Sequence, residues 1–199
     1  MGGKKVFKWV LLFLMVGLPV GIYLFLQAFG ENKFEIPVYF QNGYDSINGN
    51  CESLPENYFV PVFTGGHPTS AEQRNSIRVY QIATSKCEEC NLMLNNIKSI
   101  QDRLSQTGFQ YIIFKSDTVE FPNDRINNII IISAKSSEIE TYARCQLMLD
   151  SQIEGEQNQI NRHIILLDKQ SRIRGYYDLY DLMDVDRLVT EMTILLQID

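Results

Sequence analysis

The chain has 199 residues, with 18 Lys and Arg against 24 Asp and Glu, and its net charge at neutral pH is −6. Lys4, Lys5 and Lys8 precede the first apolar stretch, so the rest of the chain carries a net charge of −9. This excess of negative charge excludes nucleic acid and anionic membrane surfaces as expected partners, because phosphate groups would be repelled. The residues after the apolar stretch are numerous enough for one domain of ordinary size.

The first element is an apolar stretch at residues 9–26, which contains no charged residue. At about 1.5 Å of rise per residue, a helix of this length crosses nearly all of a roughly 30 Å hydrocarbon core. It exceeds the apolar run of a secretory signal peptide, and Leu26-Gln27-Ala28 is a poor cleavage site, although a cleaved signal stays the alternative. Lysines beside a membrane span normally stay in the cytoplasm. We therefore predict a cytoplasmic N-terminus at 1–8, a single-pass anchor at 9–28 in the inner (cytoplasmic) membrane, and an extracytoplasmic, periplasmic domain.

Residues 29–66 follow the anchor and are rich in Asn, Gly, Pro and Glu. This composition predicts a tether and lead-in segment. Within it, residues 37–40 and 58–63 are aromatic and strand-like. A folded domain is then predicted at 67–199.

The domain opens with the stretch Ile77–Ala83, which is β-branched and aromatic enough to predict a buried strand. The strand leads directly into Cys87 and Cys90. From Cys90 to Leu104 the apolar residues recur at helical spacing. The pattern predicts a helix that starts at Cys87, turns Cys90 inward and is ended by Gly108.

The remaining elements alternate between strands and helices. Residues 109–114 and 129–132 are strand-like, and Ser137 with Glu140 three residues later predicts the capped start of a helix. Strands at 163–167 and 172–177 predict a β-hairpin, and a last helix, capped near Asp181 or Asp184, is predicted from the apolar residues at 185–196. Strand, CxxC helix, strand, helix, hairpin and helix is the order of a thioredoxin-like fold, an α/β fold with a central mixed sheet flanked by helices.

Cys87 and Cys90 are the strongest chemical signal in the sequence. A thiol at a helix N-terminus is favoured as thiolate by the backbone N–H groups, and Lys86 adds a positive charge. Glu88 and Glu89 oppose this effect, because they disfavour a further negative charge nearby. The pair is therefore interpreted as redox-active, as metal-binding or as a plain structural disulfide.

His163 stands where ordinary thioredoxins have a cis-proline, before the hairpin strand, and the sequence has no proline after Pro122. Two thiolates and an imidazole suit copper(I), or less well zinc, and leave an open coordination position for transfer. The alternative is that His163 is only a satisfied residue at the mouth of a strand. The sequence thus predicts a metal site formed by Cys87, Cys90 and His163.

Several features together are similar to one known family: the N-terminal anchor, Thr84-Ser85 before the cysteines, a Met-containing helix and, above all, the stretch HIILLDKQSRIRGYYD at 163–178. On these residues the chain resembles the Sco (SenC) family of membrane-anchored, thioredoxin-like copper chaperones of cytochrome oxidase assembly. The resemblance covers residues 59–199 and is weak at 116–161. In the family the two cysteines are usually separated by three residues, whereas two residues separate Cys87 from Cys90.

The resemblance implies that Cys87, Cys90 and His163 bind copper. It also implies that the protein delivers Cu(I) to a client such as a copper-oxidase subunit, or reduces the client's cysteines before metal insertion. Two other functions stay open. An extracytoplasmic thiol-disulfide oxidoreductase would use Cys87 and Cys90 as its redox pair, and a redox-inactive thioredoxin-like interaction domain would keep them as a structural bridge.

Two further cysteines complete the set. Cys51 lies in the lead-in and Cys145 lies on a predicted helix, so a disulfide between them would tie the lead-in to the domain. Four cysteines allow three pairings, and the sequence does not choose among them. Taken alone, Cys145 is interpreted as a small buried hydrophobic residue.

Overall fold

A computed structural model of the protein describes residues 3–29, 36–45, 51–64, 67–69, 76–84, 90–104, 108–120, 129–149 and 157–198. The chain forms two compact units, Met1–Glu35 and Ile36–Asp199. The first unit contains helix α1, Gly3–Phe29, of which Phe7–Gln27 is long and apolar enough to cross a membrane. The side chains of that stretch are almost all exposed, unlike those of a core helix in a globular domain. The predicted apolar helix is confirmed.

The second unit contains seven strands among the residues that the structure describes. They are β1 (Val62–Thr64), β2 (His67–Thr69), β3 (Ile77–Ala83), β4 (Phe109–Ser116), β5 (Ile129–Ala134), β6 (His163–Leu167) and β7 (Ile173–Asp178). β1 and β2 form a small antiparallel pair, and the other five form a mixed sheet in the order β5-β4-β3-β6-β7. β3, β4 and β5 are parallel, while β6 runs antiparallel to β3 and to β7. The five strands predicted within the domain are confirmed.

Helices cover both faces of the mixed sheet. They are α2 (Cys90–Arg103), α3 (Ser136–Cys145), a 3₁₀ helix at Gln157–Arg162, and α4 (Leu182–Ile198). α2 and α4 share one hydrophobic core with Ile77 and Val79 of β3, whereas α3 shares the other core with Tyr80 and Ile82. The stripe predicted on α2 is buried at Met93, Leu94, Ile97, Ile100 and Leu104.

Some local expectations differ from the structure. The predicted capped helix start at Ser137 is wrong: α3 begins at Ser136, its N-cap is Lys135, and no side chain caps it. At the start of α4, Asp181 is the cap, since its Oδ1 accepts a hydrogen bond from the Met183 amide at 2.9 Å. Residues 37–40, predicted to be strand-like, form a loop and a turn, and of residues 58–63 only the last two are in a strand.

The lead-in segment contributes to the core of the second unit. Most of its buried residues lie against the α3 face of the sheet, whereas Ile36 belongs to the core that α2 and α4 cover. The Tyr39 amide donates a hydrogen bond of 2.9 Å to the carbonyl of Ile173 in β7. A disulfide joins Cys51 to Cys145 at the end of α3. The interpretation of Cys145 as a small buried hydrophobic residue is therefore wrong. The core residues that the lead-in supplies on this face are Leu54, Tyr58, Val60 and Phe63.

Buried charges hold the turn between β6 and β7. Arg78 of β3 is fully buried, and its guanidinium donates hydrogen bonds to the Tyr80 hydroxyl, at 3.2 Å, and to the Ser171 hydroxyl. Burial raises the pKa of Tyr80, and the neighbouring Arg78 opposes that rise. Asp168 is also fully buried and forms an ion pair with Arg174 at 3.2 Å. These contacts fix the position of the hairpin along β3.

Removing the Cys51–Cys145 disulfide should destabilise the domain. The two cysteines are 94 residues apart. Closing a loop of that size lowers the conformational entropy of the unfolded chain, which raises the unfolding free energy by about 2–5 kcal/mol. We expect the double variant C51S/C145S to lose about that much unfolding free energy, measured by urea denaturation of the full chain in detergent. Reduced wild-type protein should show a similar loss. Equal stability of oxidised wild type and double variant would contradict the expectation.

Gly175 in β7 should not tolerate a side chain. A Cβ atom there would overlap the ring and hydroxyl of Tyr177, which is buried and donates a hydrogen bond of 2.6 Å to Glu191. Burial, and then the hydrogen bond and charge of Glu191, raise the pKa of Tyr177, so its hydroxyl stays protonated. We expect Gly175→Ala to cost about 1–3 kcal/mol of unfolding free energy.

Gly108→Ala is the matched control for this measurement. A Cβ atom at Gly108 meets nothing within 4 Å, so its substitution should change stability by no more than about 0.5 kcal/mol. Circular dichroism during urea denaturation measures both variants. Equal stabilities of the two would show that Tyr177 moves aside without cost.

Candidate redox and metal site

The cysteine motif follows the central strand of the sheet. β3 ends at Ala83, and α2 begins at Cys90. Cys87 and residues 85–89 as a whole lie outside the described residues, as does the side chain of Cys90. The predicted helix start at Cys87 and the arrangement of the two thiols therefore stay predictions. The described backbone agrees with a strand that leads into the motif and a helix that leaves it.

His163 lies at the same end of the sheet. It is the first residue of β6 and is half-buried. β6 is antiparallel to β3, with Gln81 opposite Ile164, so His163 comes beside Ile82 near the end of β3. On its other side His163 is paired with Asp178, the last residue of β7.

A polar clamp joins the two segments that carry the predicted ligands. The amide of Thr84, three residues before Cys87, donates a hydrogen bond of 2.7 Å to Oδ1 of Asn161, two residues before His163. The Thr84 hydroxyl donates a second one of 3.2 Å to the same oxygen. Fully extended chain advances at most about 3.6 Å per residue, so Cys87 lies within about 11 Å, and His163 within about 7 Å, of the clamp.

A second polar contact fixes the helix that follows the motif. Nδ2 of Asn96, a buried residue of α2, donates a hydrogen bond of 2.8 Å to the carbonyl of Leu179, just beyond β7. The middle of α2 is thereby fastened to the segment that follows β7, near the end of the sheet at which His163 lies. Together, Asn96 and Asn161 position the elements on both sides of residues 85–89.

The side chain of His163 and helix α2 lie on opposite faces of the sheet. Side chains alternate along a strand, so His163 shares a face with Ile165 and Leu167, which belong to the core that α3 covers. α2, which begins at Cys90, packs on the opposite face. A site that joins His163 to the segment preceding α2 would therefore have to include groups from both sides of the sheet.

The charges described near this end are already paired. Nη2 of Arg162 lies 2.7 Å from the Asp178 carboxylate, and its guanidinium stacks over the Tyr180 ring at 5.1 Å. Arg187 forms an ion pair with Asp184 at 3.1 Å. The groups expected to favour a thiolate are therefore Lys86 and the N-terminus of α2. Among the described residues, no group of three or more His, Cys, Asp and Glu could hold a metal ion.

Comparison with solved structures gives the fold. A SCO1/SenC family lipoprotein from Bacillus anthracis superposes with a TM-score of 0.50 at 13% identity, over 67% of this chain and 90% of that chain. BsSco, described as a member of the Sco family of cytochrome c oxidase assembly proteins, superposes with a TM-score of 0.52 at 15% identity, over 72% and 96%. The chain has the thioredoxin-like fold of Sco/SenC proteins. The predicted fold class, and the resemblance to this family at the level of the fold, are confirmed.

A copper-bound Sco protein, protein-family models and curated proteins were also compared with the chain. ScoI of Bradyrhizobium japonicum, solved with copper bound, superposes with a TM-score of 0.44 at 10% identity, over 62% of this chain and 87% of that chain. No protein-family model matches the chain, and no curated protein matches it. At 13 and 15% identity, the likeness to the two Sco proteins with TM-scores of 0.50 and 0.52 shows the fold alone.

Sequence reasoning missed both positioning residues. Asn96 lies on α2 beside the apolar stripe. A polar residue in such a position is normally solvated, so the pattern does not predict that Asn96 is buried. Asn161 precedes a strand in a segment without periodicity. Its role follows from the register between β3 and β6, which a single sequence does not contain. The one signal in the sequence was that Asn161 lies two residues before His163, close to a predicted site residue.

The clamp can be tested at the amide of Thr84. Asn161→Ala removes the acceptor of that amide, and a hydrogen bond of this kind has a net worth of about 0.5–1.5 kcal/mol. We expect amide hydrogen exchange at Thr84 to become about two- to tenfold faster, while exchange in the centre of β3 stays unchanged. Asn161→Asp keeps Oδ1 and is the matched control. Unchanged exchange in Asn161→Ala would show that the clamp does not protect this position.

Proposed function

We propose that this chain is a membrane-anchored Sco-like protein that binds Cu(I) through Cys87, Cys90 and His163 and assists the metallation of a respiratory oxidase. The observation that supports this proposal is the Thr84–Asn161 clamp, which holds the cysteine segment and the histidine segment at one end of the sheet. The chain from the clamp spans at most about 11 Å to Cys87 and about 7 Å to His163, which is compatible with a common ion. The shared Sco-like fold supports the same proposal.

The chemistry of the three side chains fits Cu(I). Thiolates are soft ligands and imidazole is an intermediate one, a set that favours Cu(I) over hard cations. Copper is here the cargo: three protein ligands leave a coordination position to which a client's ligand could be added before transfer. The thiols must be deprotonated and the imidazole neutral for binding, so loading releases protons. A client such as a copper-oxidase subunit would receive the ion.

We further propose that α1 anchors the protein in the inner membrane, with the second unit on the periplasmic side. The lysines before the apolar stretch support this orientation. The Cys51–Cys145 disulfide supports it independently, because such bonds persist in oxidising compartments and are rare in the cytosol.

A second candidate function is thiol-disulfide exchange, favoured by a CxxC motif between the central strand and α2. In this reaction the Cys87 thiolate attacks a client disulfide, and one client thiolate leaves. Cys90, as thiolate, then attacks the mixed disulfide, so the client is released as a dithiol and Cys87–Cys90 is oxidised. A third candidate is a redox-inactive interaction domain in which the Cys87–Cys90 bridge is structural.

Anaerobic titration of the reduced full chain in detergent with Cu(I), against a competing chelator, separates these functions. We expect stoichiometric binding that weakens at least tenfold in Cys87→Ser, Cys90→Ser and His163→Ala, because each variant removes one ligand. His67→Ala, which removes the chain's other histidine, and the double variant C51S/C145S are the matched controls and should bind as wild type does.

Binding by wild type that is no tighter than binding by Cys87→Ser would sink the copper proposal. The reduction potential of Cys87–Cys90 then decides between the other two functions. A disulfide that exchanges readily with glutathione would indicate an oxidoreductase, and one that resists reduction would indicate a structural bridge.

A further inference from the structure

One edge of the mixed sheet is open among the residues that the structure describes. β5 is the last strand on its side, and its only strand partner is β4. No backbone hydrogen bond reaches the outer side of β5 from any described residue. Outward N–H and C=O groups on an edge strand are complementary to another extended strand, and to no other regular element.

The opposite edge is protected. The Ile173 carbonyl of β7 accepts a hydrogen bond of 2.9 Å from the Tyr39 amide, and the Tyr176 carbonyl accepts one of 2.9 Å from Arg187. β7 also carries the charged residues Arg174 and Asp178, which disfavour pairing with another sheet. The fold thus covers one edge with the lead-in segment and α4, while no described residue gives the other edge comparable cover.

β5 has the composition of a pairing strand. Its sequence, IIIISA, contains no charge and no proline. Ile130 is exposed, and Ile129, Ile131 and Ile132 are only half-buried, although corresponding residues of the neighbouring strand β4 are largely buried. Protein edges are normally blunted by Lys, Pro or a bulge, and none of these interrupts β5. The strand therefore exposes apolar surface beside an outer backbone edge to which no described residue is paired.

We infer that β5 pairs antiparallel with β5 of a second copy of this chain, so that the protein forms a dimer through a continuous ten-stranded sheet. Antiparallel pairing of identical strands is isologous and closes at two copies. β5 itself carries no charge, although the whole chain has a net charge of −6. Two copies of β5 can therefore pair without bringing like charges opposite each other. This inference does not depend on copper or on the redox state of the cysteines.

Light scattering of the full chain in detergent, over a hundredfold range of concentration, tests the dimer. We expect twice the protomer mass at high concentration and dissociation on dilution. Ile130→Lys introduces a charge at the exposed position of each edge and should weaken self-association at least tenfold. Ser133→Lys, at the second exposed position of β5, should act in the same direction. Thr190→Lys adds the same charge on the exposed surface of α4 and is the matched control.

Three outcomes would overturn the inference. Protomer mass at every concentration excludes the second copy and leaves the edge for a strand of another protein. A dimer that persists unchanged in both β5 variants places the contact elsewhere, for example in α1. Dissociation caused equally by Thr190→Lys would make the effect one of total charge. Circular dichroism of each variant verifies that the fold is retained.

Discussion

The antiparallel register between β3 and β6 is the constraint on which the arrangement of this molecule depends. Arg78 fixes it at one end through the Ser171 hydroxyl in the β6–β7 turn, and the Thr84–Asn161 clamp fixes it at the other. Because both strands are buried in the centre of the sheet, a shift by one residue would place apolar side chains on the wrong faces. The same register carries His163 to the strand end from which the cysteine motif departs. The packing at the centre of the sheet and the position of His163 are therefore set by one register.

The lead-in segment stabilises this arrangement from outside the sheet. Its backbone completes hydrogen bonds at β7, and its apolar side chains fill the core on the α3 face. The Cys51–Cys145 disulfide then joins it covalently to α3. Because the carbonyl of Ile36 also accepts a hydrogen bond of 2.8 Å from Arg174, the lead-in and the buried charges of the hairpin form one connected network.

Most of the elements could be predicted because their patterns are local. The buried strand β3 and the stripe of α2 follow from residue type and period, and the hairpin follows from two strands around a short turn. The lead-in could not be predicted in this way, since its buried residues, such as Leu54 and Tyr58, have no regular spacing and are held by distant partners. The choice of Cys51 with Cys145 among three pairings also depends on tertiary contact. At the site, Cys87, Cys90 and His163 could be predicted from the ligand chemistry of their side chains. The hydrogen bonds between Asn161 and Thr84 could not, because they depend on the register between β3 and β6.

The two leading functions place different demands on this architecture. Disulfide exchange needs only Cys87 and Cys90, which are close in the chain and belong to one segment between β3 and α2. The proposed copper site also uses His163, which belongs to β6 and whose side chain lies on the face opposite α2. The Asn161 contact ties the segment before His163 to Thr84 at the end of β3, and the Asn96 contact ties the middle of α2 to Leu179 just beyond β7. A function that uses His163 together with the cysteines therefore depends on contacts between separate elements, whereas a dithiol function depends on one segment of the chain.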